Sequence, residues 1–259
     1  MAIQKDDYGT LYAHSIVKGK IIASQLVIQA AKRHLNDLER AKTEGFSYKY
    51  DFVRANKVIK FIELLPDIST GKQIPLALFQ KFIISMIYGW VDKESGYRRY
   101  QKAYISMARK NGKSSLIAGI ALYELLYGAY PQLDRQIYCT ANSKDQAKLV
   151  YKMIVSQLKK VRNISPGIRK ITKIVQNEIR YDNDDSLLKP LSRDTDNLDG
   201  MNVLLGILDE YHTSATTEMM EVLESSQGQQ PQPLILIIST AGFKLNGPMY
   251  SQEYPYIKK

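Results

Sequence analysis

Apolar positions near a 3.6-residue period run through Ile21, Ile22, Leu26, Val27, Ala30 and Ala31, which predicts a helix over Val17 to Arg40. A second helix is predicted over Asp51 to Leu65, stopped by Pro66, and a third over Leu78 to Tyr88, after Pro75 and ending at Gly89. These first hundred residues read as a helical preface packed against a main sheet. From Tyr100 the pattern changes. An apolar strand, Ala103 to Met107, leads through a polar turn into a helix, Ser114 to Tyr127. Gly128 and Pro131 break the chain before a strand over Gln136 to Thr140, and Asn142 or Ser143 is placed to cap the helix that follows. Two short strands, Ile171 to Val175 and Asn177 to Arg180, come after Pro166 and Gly167. Val203 to Leu208 and Leu234 to Ile238 are near-continuous apolar runs, as suits central parallel strands covered on both faces. Alternation of strand and helix from residue 103 predicts a three-layer α/β domain with a mostly parallel sheet. The domain division expected is 1–99 for the helical extension and 100–259 for the core. Gln227 to Gln232 reads as a polar loop.

Composition narrows this little. The chain has 259 residues, 44% hydrophobic and 24% charged, ordinary for a globular protein. No apolar run approaches the roughly 18–20 residues of a membrane span. Met1 to Leu11 carries Asp6 and Asp7 and has no apolar signal-peptide core. A single cysteine excludes an internal disulfide and a cysteine-rich zinc site, and is compatible with a reducing compartment. Charge adds more. The net charge is +10, and between Lys152 and Arg180 eight basic residues face one acid, Glu178. Such a patch suits a polyphosphate backbone, with Lys159, Lys160, Lys170 and Lys173 as candidate DNA contacts. A solvated helix end and hairpin face is the competing reading.

Chemistry enters at Ala108-Arg109-Lys110-Asn111-Gly112-Lys113-Ser114-Ser115, where strand becomes helix. A nucleoside triphosphate needs backbone N–H donors, a mobile cation and a magnesium ligand. The turn and helix N-terminus supply the donors, Gly112 permits close approach, Lys113 reaches the β- and γ-phosphates, and Ser114 coordinates Mg2+. Arg109 and Lys110 add positive charge, to brace the γ-phosphate, to reach a neighbouring subunit's nucleotide, or only to meet solvent. The usual phosphate-loop pattern has glycine where this chain has Met107, and an ordinary strand-to-helix turn also accommodates a Gly-Lys-Ser.

The second run of residues is Leu204 to Leu208 followed by Asp209-Glu210. Two acids directly after a buried strand are costly without a cation or a task. Asp209 suits the magnesium water shell and Glu210 the polarising of an attacking water. Together with the Gly-Lys-Ser turn they point to ATP hydrolysis. Ile237 to Gly242 repeats the layout with Ser239 and Thr240 at the strand end, placed to hydrogen-bond water or phosphate and report the nucleotide state, or only to cap the strand in a Ser-Thr turn. His14 and His34 have no acidic or cysteine cluster around them and read as surface or packing residues. His212 follows the acidic pair, where it can touch the site, but matches no metal-ligand spacing.

These residues carry a likeness. Ala108 to Ser115, Thr140 to Ala147 (TANSKDQA), Leu191 to Gly200 (LSRDTDNLDG), Leu208 to His212 (LDEYH) and Ser239 to Gly242 stand in order over nearly the whole chain. With Tyr12 to Leu35, they resemble the ATPase domain of tailed-phage or prophage large terminase subunits. The resemblance implies an ASCE-like P-loop NTPase fold with an N-terminal helical extension. It implies an ATPase motor that moves double-stranded viral DNA into a procapsid with ATP and Mg2+. By resemblance Lys113 and Ser114 take the phosphate-loop roles, Asp209 the magnesium role and Glu210 that of catalytic base. Ser239, Thr240 and Gly242 fall on the coupling motif, Gln80 on an adenine-reading glutamine, and Arg109 on a candidate arginine finger. It also implies a longer parent protein with an RNase H-like nuclease domain beyond Lys259, and the portal protein, the small terminase subunit and further copies in a ring as partners. The host cytoplasm is the implied location. The alternatives are a helicase-like or restriction-type translocase, and a non-catalytic nucleic-acid-binding or assembly module.

Overall fold

A computed structural model describes residues 4–67, 70–128, 131, 133–141, 144–191 and 200–258. The chain divides into two compact units, one formed by 1–64 with 74–100, the other by 65–73 with 101–259.

The first unit holds α1 (Tyr8–Val17), α2 (Gln25–Arg40), β1 (Tyr48–Tyr50), α3 (Phe52–Leu64), α4 (Leu78–Gly89) and β2 (Trp90–Asp92). Tyr12, Ala13, Ile16, Ala31 and Phe82 form one of its cores, while β1 and β2 pair antiparallel. Of the continuous helix expected over Val17 to Arg40 only Gln25–Arg40 is helical, while α1 ends at Val17. The break falls at Lys18 to Ser24, where Gly19 takes φ +70° and the amides of Lys20 and Ile21 turn back onto the carbonyl of Ser15. Apolar spacing ran on across the turn because Ile21 and Ala23 still pack on the same core.

His34 is a structural residue here. It is 1% exposed, with Trp90 Nε1 donating to its Nδ1 at 3.1 Å and Thr10 Oγ1 3.0 Å from its Nε2. Trp90 offers only a donor, so Nδ1 must be the bare nitrogen and Nε2 the protonated one. Burial lowers its pKa to about 3.

The second unit holds β3 (Lys102–Ser106), α5 (Lys113–Tyr127), β4 (Gln136–Thr140), α6 (Lys144–Ile164), α7 (Pro166–Ile171), β5 (Thr172–Val175), β6 (Glu178–Tyr181), β7 (Leu187–Leu191), β8 (Val203–Asp209), α8 (Glu218–Ser225), β9 (Leu234–Ser239) and α9 (Tyr254–Lys258). A 3-10 turn occupies Tyr211–Thr213 and a π-helical turn Met249–Glu253. The sheet order is β3-β9-β8-β4-β7-β6-β5. Its first five strands are parallel, and β6 and β5 extend it as an antiparallel hairpin. Every residue of β9, and all of β8 before Asp209, is buried, as expected for strands covered on both faces. The domain is a three-layer α/β structure with a mostly parallel sheet.

One consequence of the strand order positions the site. β9 inserts between β3 and β8, so Ser106, Ser239 and Asp209 end three neighbouring strands at the same edge. Open parallel sheets place their ligands beyond the carboxyl ends of the strands. The expected cap at Asn142 or Ser143, and residues 192–199 of the LSRDTDNLDG stretch, lie outside the described residues.

Candidate active site

The loop after β3 is anchored by the N–H of Met107 on the carbonyl of Ser239, at 3.0 Å. The side chain at residue 107 is not at a left-handed position. Lys110 (φ 65°) and Gly112 (φ 75°) are, and these two reversals make the turn. Asn111 staples it, donating from Nδ2 to the carbonyls of Ala108 and Arg109. Gly112 caps α5, its carbonyl accepting from the N–H of Leu116 at 3.0 Å. The first N–H groups of α5 thus have no intrahelical acceptor, and its positive end faces the loop. Arg109, Lys110, Gly112, Lys113, Ser114 and Ser115 line one side of a cavity of about 190 Å³, with Glu210 and Thr240 on the other. That volume suits a phosphate chain better than a whole nucleotide, since pockets enclosing entire ligands run to roughly 300–1,000 Å³.

Lys113 links the two halves of the site. Its Nζ lies 3.1 Å from Asp209 Oδ1, a charge contact lacking hydrogen-bond alignment, and also donates to Glu210 Oε1. Asp209 is mostly buried, and burial raises its pKa against the opposing pull of Lys113. At Glu210 burial also pushes upward, but Lys113, Thr240 and His212 outweigh it and the pKa is lowered. Glu210 sits at φ 51°, ψ 40°, an uncommon conformation for a side chain of its size. It is held there by its N–H on Ile238 O, and by the N–H and hydroxyl of Thr213 on its own carbonyl. Backbone held in such a conformation is typical of functional sites.

The other carboxylate oxygen of Glu210, Oε2, accepts from Thr240 Oγ1 at 3.2 Å and lies 3.1 Å from His212 Nδ1. His212 Nδ1 is also 2.8 Å from Ser239 Oγ, which receives the backbone N–H of His212 and donates to the carbonyl of Thr240. With its one proton committed to Thr240, Ser239 can only accept from the ring. Nδ1 therefore carries the proton.

The structure thus gathers Arg109, Lys110, Gly112, Lys113, Ser114, Ser115, Glu210 and Thr240 about one cavity, with Asp209 and Ser239 one contact away. Ala108 and Asn111 shape the loop through the hydrogen bonds above. Gly242 sits beside His212 rather than on the cavity. Gln80 belongs to the other compact unit, 9% exposed, with its Oε1 accepting from the N–H of Ala77 in the first turn of α4. His212 touches the site as its place after the acidic pair suggests, but its link to Ser239 was missed, as was Tyr250, whose hydroxyl accepts from the N–H of Gly242 and donates to its carbonyl, both at 3.1 Å. Ser239-Gly242 beside LDEYH was the available signal, but it lacked the strand register that brings them together. A wider hollow on the polar face of α2, lined by Gln29, Lys32, Arg33, Asn36, Asp37 and Arg40, has its one acid already paired with Arg40 and Arg99.

A magnesium ion fits the donor set. It favours one or two carboxylates, a hydroxyl and phosphate oxygens, and Asp209 Oδ1 is buried beside Lys113, which lines the same cavity as Ser114. Among the described residues no cluster of three His, Cys, Asp or Glu offers a closed metal cage.

Residues 78–259 match the family model of the terminase large subunit, ATPase domain. The chain belongs to this family. The large terminase subunit of Enterobacteria phage HK97 is 32% identical over 199 residues, which span 72% of this chain and 36% of that protein. The crystal structure of the HK97 large terminase matches with a TM-score of 0.60 at 30% identity, over 72% of this chain and 37% of that one. Protein YmfN of Escherichia coli strain K12 is 33% identical over 60 residues, 23% of this chain and 13% of that protein. This terminase ATPase domain therefore spans about a third of the length of its HK97 relative. Its Lys113, Asp209 and Glu210 stand together at the sheet edge.

Proposed function

We propose that ATP hydrolysis at the Lys113–Asp209–Glu210 site drives movement of double-stranded DNA, with this domain the motor of a viral packaging machine in the host cytoplasm. The observation that carries the chemistry is the convergence of Lys113, Thr240 and His212 on the Glu210 carboxylate beside the loop cavity. Family membership supports the ATPase class, and no described helix is long and apolar enough to cross a membrane.

In the reaction proposed, the N–H groups of the loop and of α5 bind the phosphate chain, and Arg109 and Lys110 add charge at the γ end. Ser114 and Asp209 would hold Mg2+, which when bound neutralises charge on the β- and γ-oxygens. Lys113 exchanges its carboxylate partners for phosphate. That exchange removes from Glu210 the main influence lowering its pKa, leaving burial, which raises it, against Thr240 and His212. Glu210 takes a proton from water. The water oxygen bonds to the γ-phosphorus while the bond to the β–γ bridging oxygen breaks, giving ADP and phosphate.

Gln80 is assigned to the adenine edge, Arg109 to a finger in its own or a neighbouring site, and Ser239, Thr240 and Gly242 to coupling. Lys159, Lys160, Lys170 and Lys173 are assigned to the DNA backbone. Lys159, Lys170 and Lys173 are exposed, but Lys160 donates to the carbonyl of Asp67 and Lys173 pairs with Asp182 at 2.9 Å, so part of this charge has a structural use. The portal, the small terminase subunit and further copies in a ring are the proposed partners, and an RNase H-like nuclease domain is proposed for a longer parent protein.

Replacing Lys113 by alanine tests the site. ATP affinity or turnover is expected to fall by at least about tenfold, since a charge-assisted phosphate contact is worth roughly 1.5–3 kcal/mol. Wild-type binding and turnover in that variant would remove Lys113 from the site.

A further inference from the structure

His212 is the residue the phosphate-loop chemistry leaves unexplained. Its protonated Nδ1 lies between two acceptors, Glu210 Oε2 at 3.1 Å and Ser239 Oγ at 2.8 Å, and its backbone N–H also goes to Ser239. The ring rests on Gly242. A Cβ added there would stand 2.3 Å from His212 Cδ2 and 2.7 Å from its Cβ and Cγ. The backbone of Gly242 is not in the left-handed region, so the glycine is needed for room and not for conformation. On its other side the Tyr250 hydroxyl holds both the N–H and the carbonyl of Gly242. The residue beside the Glu210 carboxylate is thus packed on a backbone segment that is itself held by Tyr250.

We propose that His212 is a positioning residue that fixes the Glu210 carboxylate and ties it to the Ser239–Gly242 segment, Gly242 being the surface against which its ring is set. The proposal rests on the reading of Glu210 as the base. Glu210 occupies a left-handed backbone position, and its Oε1 is held by the very cation that the nucleotide recruits. Once Lys113 leaves for phosphate, Thr240 and His212 are the groups that still hold the carboxylate, both on Oε2. A shift of Gly242 then moves the His212 ring and, through it, the base. This gives hydrolysis and the segment after β9 a shared mechanical element without any contact between Gly242 and nucleotide.

The test is a set of variants, His212→Ala, His212→Asn, Gly242→Ala and His212→Ala with Gly242→Ala, each measured for ATP affinity, kcat, KM and melting temperature. His212→Ala is expected to lower kcat by about tenfold or more with ATP affinity within about twofold, the split that marks loss of a contact used in the reaction and not in binding. His212→Asn, whose amide can donate from near the Nδ1 position, should recover most of the kcat. Gly242→Ala should lower kcat in the wild-type background and by less once His212 is alanine, because the collisions with Cδ2 and Cγ are gone and only that with Cβ at 2.7 Å remains. If His212→Ala fails to fold, the His212→Asn and Gly242→Ala single variants carry the test. Wild-type kcat in His212→Ala, or a Gly242→Ala loss that is simply additive, would overturn the proposal. Glu210→Gln is run alongside. Wild-type turnover there defeats the reading of Glu210, whereas an inactive Glu210→Gln beside a fully active His212→Ala defeats only the positioning role.

Discussion

Glu210 carries opposing demands within one residue. Its backbone is held left-handed, its carboxylate is partly buried, and its charge is maintained by Lys113, Thr240 and His212. That Lys113, Ser114, Asp209 and Glu210 come together was legible in the sequence because they stand on short local motifs at strand ends. The tie of His212 to Ser239 was not, since that contact exists only through the pairing of β8 with β9. His34 gives a separate test at this scale. Its folded pKa of about 3 lies below the ordinary 6.5, so the unfolded chain binds the proton first. The resulting loss of stability begins as pH falls below about 6.5 and grows by up to ~1.4 kcal/mol per unit toward pH 3. Denaturant midpoints at pH 7.5 and 5 should therefore differ, and His34→Gln should flatten that difference while lowering stability at pH 7.5. An equal pH dependence in both proteins would mean another group is responsible.

At the scale of elements, the long apolar strands β8 and β9 were readable because burial on both faces leaves a continuous hydrophobic run. β7 was not, since Leu187 to Leu191 is short and contains Pro190. Proline is tolerated there because β6 pairs only as far as Leu188, so the ladder on that side has ended. α8 lay unread in a stretch of mixed polarity, although Met219, Met220 and Leu223 face the core. The basic surface of α6, α7 and the β5–β6 hairpin was visible as charge, but not the share of it engaged internally. Arg162 donates to Thr172, and Arg180 pairs with Glu178. Replacing Lys159 and Lys170, both exposed, by alanine should weaken binding to unrelated duplexes about equally. It should reduce the slope of log affinity against log salt by roughly one unit per lost phosphate contact. Replacing Lys160 should instead cost stability through its bond to Asp67. An unaltered salt slope in the Lys159, Lys170 variant would place DNA on another surface.

For the whole molecule, the order β3-β9-β8-β4 puts the cation loop, the acids and the Ser239–Thr240 segment on one edge, and the proposed assembly with other copies is where the role of Arg109 is tested. Arg109 is exposed and lines the cavity, so a guanidinium there can serve its own phosphates or a neighbour's. Doping Arg109→Ala protein into wild type on assembled rings should reduce turnover more steeply than the mutant fraction if the residue acts across subunits. A linear decline places it within its own subunit, and full activity of the all-mutant ring removes it from the mechanism. The central claim, that Glu210 is the base and Lys113 moves from it to phosphate, is tested most directly by Glu210→Gln. ATP affinity and single-turnover hydrolysis should be measured on the same protein. The account predicts affinity unchanged or tighter, because Lys113 is released from its ion pair with Glu210, with hydrolysis reduced at least ~10²-fold. Hydrolysis at the wild-type rate in that variant would contradict it.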